Sequence, residues 1–198
     1  MSNKDFDVLI NNIKNCHKCS LSENRSNVVI SAPNNVLNNH NKVMFIGEAP
    51  GADEDLAGVP FIGRSGKLLR SIAEKANINI EENVYITNIC KCRPPKNRKP
   101  TMEEINTCTP FLLNEINIIK PGVIVCFGST AAQSLLFPNN KKAPTITNLK
   151  GQVFDFIANN NFLIKVIPTF HPSYLLRNRS LIDSCIEDLE KIHSFINI

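Results

Sequence analysis

The sequence lacks any segment that could serve as a membrane span or an export signal. It contains no apolar run long enough to cross a bilayer, and its polar start, residues 1–4 (MSNK), has no apolar core of a secretory signal. We therefore expect a cytoplasmic protein, or a nuclear or organellar one where the source has such compartments. The sequence also has no internal repeat and no sign of a second domain, so we expect one domain over residues 1–198.

The chain has little excess charge. Its 22 Lys and Arg against 18 Asp and Glu give a formal net charge of +4, which permits DNA binding without requiring it. Basic residues nevertheless cluster in a proline-rich loop, as Lys91, Arg93, Lys96, Arg98 and Lys99, and again near the C-terminus, as Arg177 and Arg179. From charge alone, a solvated surface explains this clustering equally well.

Seven cysteines, an odd number in a chain without an export signal, argue against a disulfide framework. Metal ligands or buried thiols are the remaining explanations. Four of the cysteines could share one metal site: Cys16, Cys19, Cys92 and Cys108. Four thiolates suit a [4Fe–4S] cluster or tetrahedral zinc, and the spacing alone leaves both open, together with unliganded thiols. Cys126, in a predicted strand, and Cys185, in a predicted helix, are expected to be small core residues.

Short apolar runs alternate with segments of helical spacing. The predicted strands are residues 43–47, 84–88, 123–127 and a fourth that closes at 165–168, and the predicted helices are residues 5–15, 66–76, 101–120, 128–136 and 180–196. Thr101 and Glu104 form a capping box, and the Asn-rich residues 26–42 predict an exposed loop. The alternation predicts an α/β fold, a three-layer α/β/α sandwich around a central, mostly parallel four-stranded sheet.

Two motifs and one asparagine fall at the carboxyl ends of predicted strands, where such sheets bind ligands. The motifs are GEAPGADEDLAGVPFIGRSG (residues 47–66) and HPSYLLRN (residues 171–178), and the asparagine is Asn88. Singly, each has an ordinary explanation: Phe61 as a core aromatic, Asn88 as a turn cap and His171 as a surface or hydrogen-bonded core residue.

Together, these motifs and TNICKCRPPKNRKP (residues 87–100) occur in the order and spacing of one enzyme family. The chain resembles the iron–sulfur uracil-DNA glycosylases, called family 4, over roughly residues 6–192. The resemblance implies a DNA-repair enzyme that hydrolyses the N-glycosidic bond of deoxyuridine and leaves an abasic site. The alternative is a non-catalytic, metal-containing nucleic-acid-binding module on the same fold.

The resemblance assigns tasks in base recognition to three residues. Phe61 resembles the residue that stacks on uracil. The amide of Asn88 would accept uracil N3–H and donate to O4, whereas cytosine presents the reverse pattern. His171 resembles the histidine that donates to O2 as negative charge develops there. The predicted substrate-binding residues are Glu48, Ala49, Phe61, Asn88 and His171, and the predicted catalytic residues are His171 and Glu48.

The first motif lacks the aspartate that helps position the attacking water in the best-known uracil glycosylases, whose loop reads G-Q-D-P-Y. Ala49 stands in its place, as in the family-4 pattern, which implies a mechanism based on leaving-group stabilisation. Water would be held by backbone groups or by Glu48, Glu54 or Asp55. Gly51 replaces the tyrosine that excludes the thymine methyl group elsewhere, so we expect Glu48 to contribute that barrier.

The resemblance further implies a [4Fe–4S] cluster on Cys16, Cys19, Cys92 and Cys108, with zinc as the alternative cofactor. Cys90 competes with Cys92 for this role. The predicted DNA-binding residues are Arg93, Arg98, Leu176 and Arg177. The arginines would contact phosphates, and Leu176 would wedge into the gap left by a flipped base, unless the leucines here point inward. The expected partner is uracil-containing single- or double-stranded DNA, bound by a monomer away from any membrane.

Overall fold

The computed structural model describes residues 3–31, 42–138, 140, 142–158 and 162–197. The α-helices in this part of the chain are α1 (Asn3–Lys14), α2 (Ala52–Ala57), α3 (Arg64–Lys75), α4 (Ile80–Asn83), α5 (Met102–Ile119), α6 (Ser129–Leu136), α7 (Ile146–Leu149), α8 (Pro172–Leu175) and α9 (Ile182–Glu190). The strands are β1 (Val43–Gly47), β2 (Val84–Asn88), β3 (Val123–Phe127), β4 (Phe154–Ala158) and β5 (Phe162–Thr169). None of the helices in these ranges has the length and hydropathy that a bilayer span requires.

The strands form one sheet in the order β2-β1-β3-β5-β4. Strands β2, β1, β3 and β5 are parallel, and β4 pairs antiparallel with β5 at the edge. The α/β prediction is confirmed, but the predicted count of four strands was wrong because β4 was missed. An edge strand has a neighbour on one side only, and β4 alternates half-buried Phe154 and Phe156 with exposed Asp155 and Ile157. It therefore lacks the continuous apolar run that marks the inner strands.

Helices cover both faces of the sheet and bury a separate apolar core on each. On one face, α1, α5, α6 and α7 pack against strand residues such as Met44 and Ile124. On the other face, α3, α4, α8 and α9 pack against strand residues such as Phe45 and Val125. Alternate residues of the same strands thus serve opposite cores, as a strand buried on both sides requires.

The element boundaries follow local signals in most places. Thr101 Oγ1 accepts from the Glu104 backbone N–H at 3.2 Å, and the Glu104 carboxylate accepts from the Thr101 N–H at 2.7 Å, which confirms the capping box of α5. The last helix is shorter than predicted, because 3₁₀ turns at Arg179–Leu181 and Lys191–Ser194 flank α9. Residues 32–41 of the predicted loop 26–42 lie outside the described residues.

The parallel strands end together at one edge of the sheet. Gly47 at the end of β1 pairs with Asn88 at the end of β2, and Phe127 at the end of β3 pairs with Thr169 of β5. The loops that follow these four strands therefore open at the same edge, which is where the motifs were expected to meet.

Candidate active site

A cavity of about 690 Å³ opens at the carboxyl ends of the parallel strands. Its walls come from the loops after β1, β2, β3 and β5 and from the first residues of α6. The five residues that the sequence predicts to bind substrate all line it: Glu48, Ala49, Phe61, Asn88 and His171. Glu48 and His171, which are distant in sequence, therefore line the same cavity, and this cavity is large enough to hold a nucleobase.

Phe61 forms one wall of this cavity in an unusual backbone conformation. Its φ is +53°, in the left-handed region that residues with a side chain rarely adopt. Its ring lies 6.4 Å from that of Phe127 and 5.9 Å from that of His171, tilted by 35° to the latter. A Cβ at Gly66 would stand 1.7 Å from the Phe61 carbonyl oxygen, so the start of α3 can approach this loop only with glycine there.

Asn88 presents an unused hydrogen-bond acceptor. The residue is 3% exposed, and its Oδ1 is the one buried side-chain nitrogen or oxygen among the described residues without a partner. A Cβ at Gly47 would lie 2.4 Å from this oxygen and 2.5 Å from Cζ of Phe61. The glycine thus gives the amide and the aromatic ring room to approach each other. A buried acceptor without a donor is costly, so this oxygen is available to a hydrogen-bond donor that enters the cavity.

His171 is fixed in one tautomer by the turn that follows it. Its Nδ1 accepts from the Ser173 backbone N–H at 3.1 Å and lies 2.7 Å from Ser173 Oγ. Burial lowers the pKa of His171 to about 4, so the ring is neutral at pH 7. Because Nδ1 is an acceptor, the single ring proton is on Nε2. A Cβ at Gly128, where φ is +88°, would lie 3.2 Å from the His171 Cβ, so glycine at this position lets the segment after β3 pass close to His171.

Three carboxylates near the first motif differ in what they already bind. Glu54 accepts backbone N–H groups of Gly51, Ile62 and Gly63 at 2.9–3.1 Å and so braces the loop that carries Phe61. Asp55 is buried outside the cavity lining and accepts the backbone N–H of Ser26.

Glu48 lines the cavity, as Glu54 does, and its carboxylate accepts a hydrogen bond from Thr130 Oγ1 of α6. Thr130 and Ser173, which orient Glu48 and His171, were not predicted as site residues. The signal for both was position: each stands in the first turn of a helix that follows a sheet strand at the active edge.

A second, small cavity of about 20 Å³ gathers the four predicted metal ligands, Cys16, Cys19, Cys92 and Cys108. Arg25 Nη1 donates to Cys92 Sγ at 3.2 Å, and the Lys91 backbone N–H donates to Cys108 Sγ at 3.3 Å. Burial raises the pKa of the Cys92 thiol, and the Arg25 hydrogen bond opposes that rise. Within the described ranges, no three His, Cys, Asp or Glu side chains are placed as a group that could hold a metal ion. The donor set, four thiols around one cavity, nevertheless fits a four-cysteine cofactor.

The remaining cysteines lie elsewhere. Cys90 does not line the cysteine cavity, and the hydrogen bond from its thiol lowers the pKa of the Cys108 thiol below its usual value. Cys126 and Cys185 are fully buried in the two apolar cores, which confirms them as core residues. Burial raises the pKa of both thiols.

The four predicted DNA-contact residues differ in their position relative to the large cavity, and one of them lines it. Arg98 lines it, with its guanidinium paired to Glu104 at 2.6 and 2.8 Å. Arg93 donates to Asn97, and Arg177 is exposed. Leu176 is half-buried and does not line the cavity.

The basic loop is smaller than its sequence suggested, because Lys91 is 1% exposed and cannot belong to a solvated surface. Tyr174, which the sequence had not singled out as a lining residue, is 42% exposed at the cavity and packs its ring 5.3 Å from that of Phe170.

Comparison with known proteins agrees with this geometry. Residues 35–190 match the family model described as the uracil DNA glycosylase superfamily. The chain is 45% identical to a type-4 uracil-DNA glycosylase of Thermotoga maritima over 96% of this chain and 94% of that protein. It is 38% identical to one of Archaeoglobus fulgidus over 96% and 92%, and 35% identical to one of Saccharolobus solfataricus over 95% and 85%. The chain belongs to the uracil DNA glycosylase superfamily and, within it, to the type-4 enzymes.

Proposed function

We propose that this protein is a DNA-repair glycosylase that hydrolyses the N-glycosidic bond of deoxyuridine in DNA, releasing uracil and leaving an abasic site. The observation that carries the proposal is the unpartnered Oδ1 of Asn88 in a cavity that also holds an aromatic ring and a neutral imidazole. The non-catalytic alternative has no use for this combination, since binding DNA backbone requires neither a buried acceptor nor a fixed imidazole tautomer.

Uracil must leave the base stack to reach this cavity. Phe61 then stacks on one face of the base, and Asn88 accepts N3–H through Oδ1 while its NH2 group donates to O4. Cytosine has an acceptor at N3 and a donor at C4, so it would leave both polar groups of the amide mismatched. Such mismatches discriminate by about 10⁴-fold or more.

His171 supplies the main stabilisation of the departing base. With Nδ1 occupied by the Ser173 N–H, its Nε2–H is free to donate to uracil O2 as negative charge develops there. The neutral ring donates a proton in a hydrogen bond without giving it up, so the base leaves as a stabilised anion. Burial of the ring keeps bulk water from weakening this contact.

Glu48 is the carboxylate best placed to hold the attacking water. Glu54 already accepts three backbone N–H groups, and Asp55 is bound outside the cavity. The Thr130 hydroxyl holds one oxygen of Glu48, which fixes the carboxylate at the cavity wall. Its negative charge also favours the oxocarbenium character that the sugar acquires as the bond breaks. The same side chain would restrict access for the methyl group of thymine.

Arg93, Arg98 and Arg177 are proposed to contact DNA phosphates around the mouth, with Leu176 beside them as the apolar residue that enters the gap left by the flipped base. The substrate is uracil-containing DNA, single- or double-stranded, taken up by a monomer. Because Glu104 neutralises Arg98, exposed Arg177 should contribute more to phosphate binding than Arg98 does.

The function is tested with a single-uracil oligonucleotide, followed by alkali to cleave abasic sites. We expect scission at the uracil position and none in oligonucleotides with cytosine or thymine there. His171→Ala should lose most of this scission while retaining affinity for uracil-free DNA. If excess wild-type protein produces no alkali-labile site, only the binding module remains.

We propose a [4Fe–4S] cluster as the cofactor, held by Cys16, Cys19, Cys92 and Cys108. When bound, it supplies a structural cross-link between the segment after α1, the basic loop and α5. Two observations support it: the four thiols surround one cavity, and sulfur-directed donors come from Arg25 and the Lys91 backbone. Anaerobically purified protein should be brown and contain iron and sulfide. A colourless, fully active preparation that contains zinc instead would refute the cluster.

A further inference from the structure

A buried ion pair lies directly behind Asn88 and has no part in the steps above. Lys91 is 1% exposed and Glu115 of α5 is fully buried, and Lys91 Nζ lies 2.6 Å from Glu115 Oε2. The same ammonium donates to Thr87 Oγ1 and to the Asn88 carbonyl oxygen, each at 2.7 Å. An ammonium has three protons, so all of its donors are engaged, one of them on the backbone of the proposed base-reading residue.

Glu115 ties this pair to the rest of β2. Its Oε1 accepts from Tyr85 Oη at 3.1 Å, and its Oε2 lies 3.0 Å from Thr87 Oγ1. The Glu115 carboxylate therefore contacts Tyr85 and Thr87 near the end of β2. Lys91 contacts Asn88, the last residue of the strand. The end of β2 is held from inside the protein, at the point where Asn88 leaves the sheet.

Lys91 also connects the two cavities. Its backbone N–H donates to Cys108 Sγ at 3.3 Å, while its side chain reaches the Asn88 carbonyl. Its backbone carbonyl accepts from Val29 at 2.8 Å. Lys91 therefore contacts both the cysteine cavity and the backbone of Asn88, the proposed base-reading residue.

Stability alone does not account for such a pair. Removing two charges from water costs several kcal/mol, and replacing a buried ion pair with uncharged side chains of similar volume is often neutral or stabilising. The ion pair instead fixes the positions of the groups that it contacts, because charge-assisted hydrogen bonds are short and hold their partners in one geometry. Here, the groups held in this way include the backbone carbonyl of Asn88.

We propose that Lys91 and Glu115 are positioning residues for uracil recognition, which fix the backbone of Asn88 so that its Oδ1 meets the N3–H of the flipped base. This inference rests on the proposed glycosylase function. It predicts that the pair affects how well N3–H is recognised and affects DNA binding little.

The test uses the double variant Lys91→Met/Glu115→Gln, which leaves no unpaired buried charge. We expect it to fold and to keep its iron content, but to excise uracil about 10- to 100-fold more slowly in single turnovers, as small misplacements of a reacting group do. Inhibition by free uracil should weaken, while inhibition by N3-methyluracil, which has no N3–H, should not change. Affinity for uracil-free DNA should stay at the wild-type value.

Two further variants complete the experiment. Lys165→Met/Asp155→Asn makes the same kinds of change at an ion pair on the edge of the sheet and should leave excision unchanged. If the double variant does not fold, Thr87→Val is measured in the same assays. This variant keeps both charges and removes the hydroxyl that contacts Lys91 and Glu115. Wild-type rates and an unchanged preference for uracil over N3-methyluracil in a folded variant would overturn the inference. Failure of the wild-type protein to release uracil would instead refute the glycosylase function.

Discussion

At the scale of single residues, the site combines one unsatisfied acceptor, one fixed donor and one aromatic surface. Asn88 lacks a partner for Oδ1, and the Ser173 backbone N–H occupies Nδ1 of His171, which leaves the ring proton on Nε2. Phe61 has a φ of +53°, and its ring lies 5.9 Å from that of His171. The unpartnered oxygen and the left-handed φ are each costly, and in the proposed function a pyrimidine supplies the missing donor to Asn88 through its N3–H.

Asn88→Ala should lower the uracil excision rate on the order of 100-fold, since donors to developing charge typically contribute that much. The variant removes both the N3–H acceptor and the O4 donor. Affinity for uracil-free DNA, measured by fluorescence anisotropy, should not change. Asn12→Ala, at an exposed position of α1, is the control and should behave as wild type. Equal losses of excision and DNA affinity would contradict the role of Asn88.

Glu48→Gln should lower the single-turnover rate by about 100-fold or more, because it removes the charge that holds the water while leaving an acceptor for Thr130. Asp53→Asn is the matched comparison, since Asp53 also lines the cavity, and its loss should be much smaller. A large effect of Asp53→Asn with a minor effect of Glu48→Gln would move the water-holding role to Asp53.

At the scale of elements, the site depends on loops that are tied to the helices next to them. The carboxylate of Glu54 in α2 holds the loop, because it accepts hydrogen bonds from the backbone N–H groups of Ile62 and Gly63. The start of α3 packs against the Phe61 carbonyl at Gly66, where no side chain fits. Phe61 can keep its left-handed conformation because the Glu54 hydrogen bonds and the packing of α3 together hold the loop in place.

Gly66→Ala tests this dependence. The new Cβ would fall 1.7 Å from the Phe61 carbonyl oxygen and 2.1 Å from its carbon, so α3 or the loop must move. We expect unfolding in urea to show a loss of at least about 2 kcal/mol, typical of overpacking, and excision to fall with the displacement of Phe61. Ser71→Ala, on the exposed side of the same helix, should change neither quantity. A fully active, fully stable Gly66→Ala protein would contradict the tight packing of this junction.

At the scale of the whole molecule, the sequence predicted the four parallel strands and the edge of the sheet at which the motifs meet. Four apolar runs carried the prediction of the strands, and the two motifs and Asn88 at their carboxyl ends carried the prediction of the edge. What it could not predict depended on tertiary partners. The edge strand β4 exists because β5 offers it hydrogen bonds, and Lys91 is buried because Glu115, 24 positions away, neutralises it. A lysine between two cysteines in a basic loop carries no local sign of that burial.

His171 also links the site to the acid stability of the whole fold. Its pKa is about 4 in the folded protein, against about 6.5 in an unfolded chain. Between these values the unfolded state binds more protons, so stability is lost as the pH falls from 6.5 and the loss ends near pH 4. At about 1.4 kcal/mol per pKa unit, this contribution reaches about 3 kcal/mol.

The free energy of unfolding of the wild-type protein and of His171→Gln, measured by urea titration from pH 7 to pH 3.5, isolates this contribution. The difference between the two should shrink by about 3 kcal/mol as the pH falls to 4 and then stay constant. Glu104, whose pKa is held at about 2 by Arg98, titrates in both proteins and cancels. A difference that does not vary with pH would mean that His171 keeps an ordinary pKa when folded. The neutral Nε2–H donor on which the stabilisation of departing uracil depends would then not be the dominant form in mildly acidic solution.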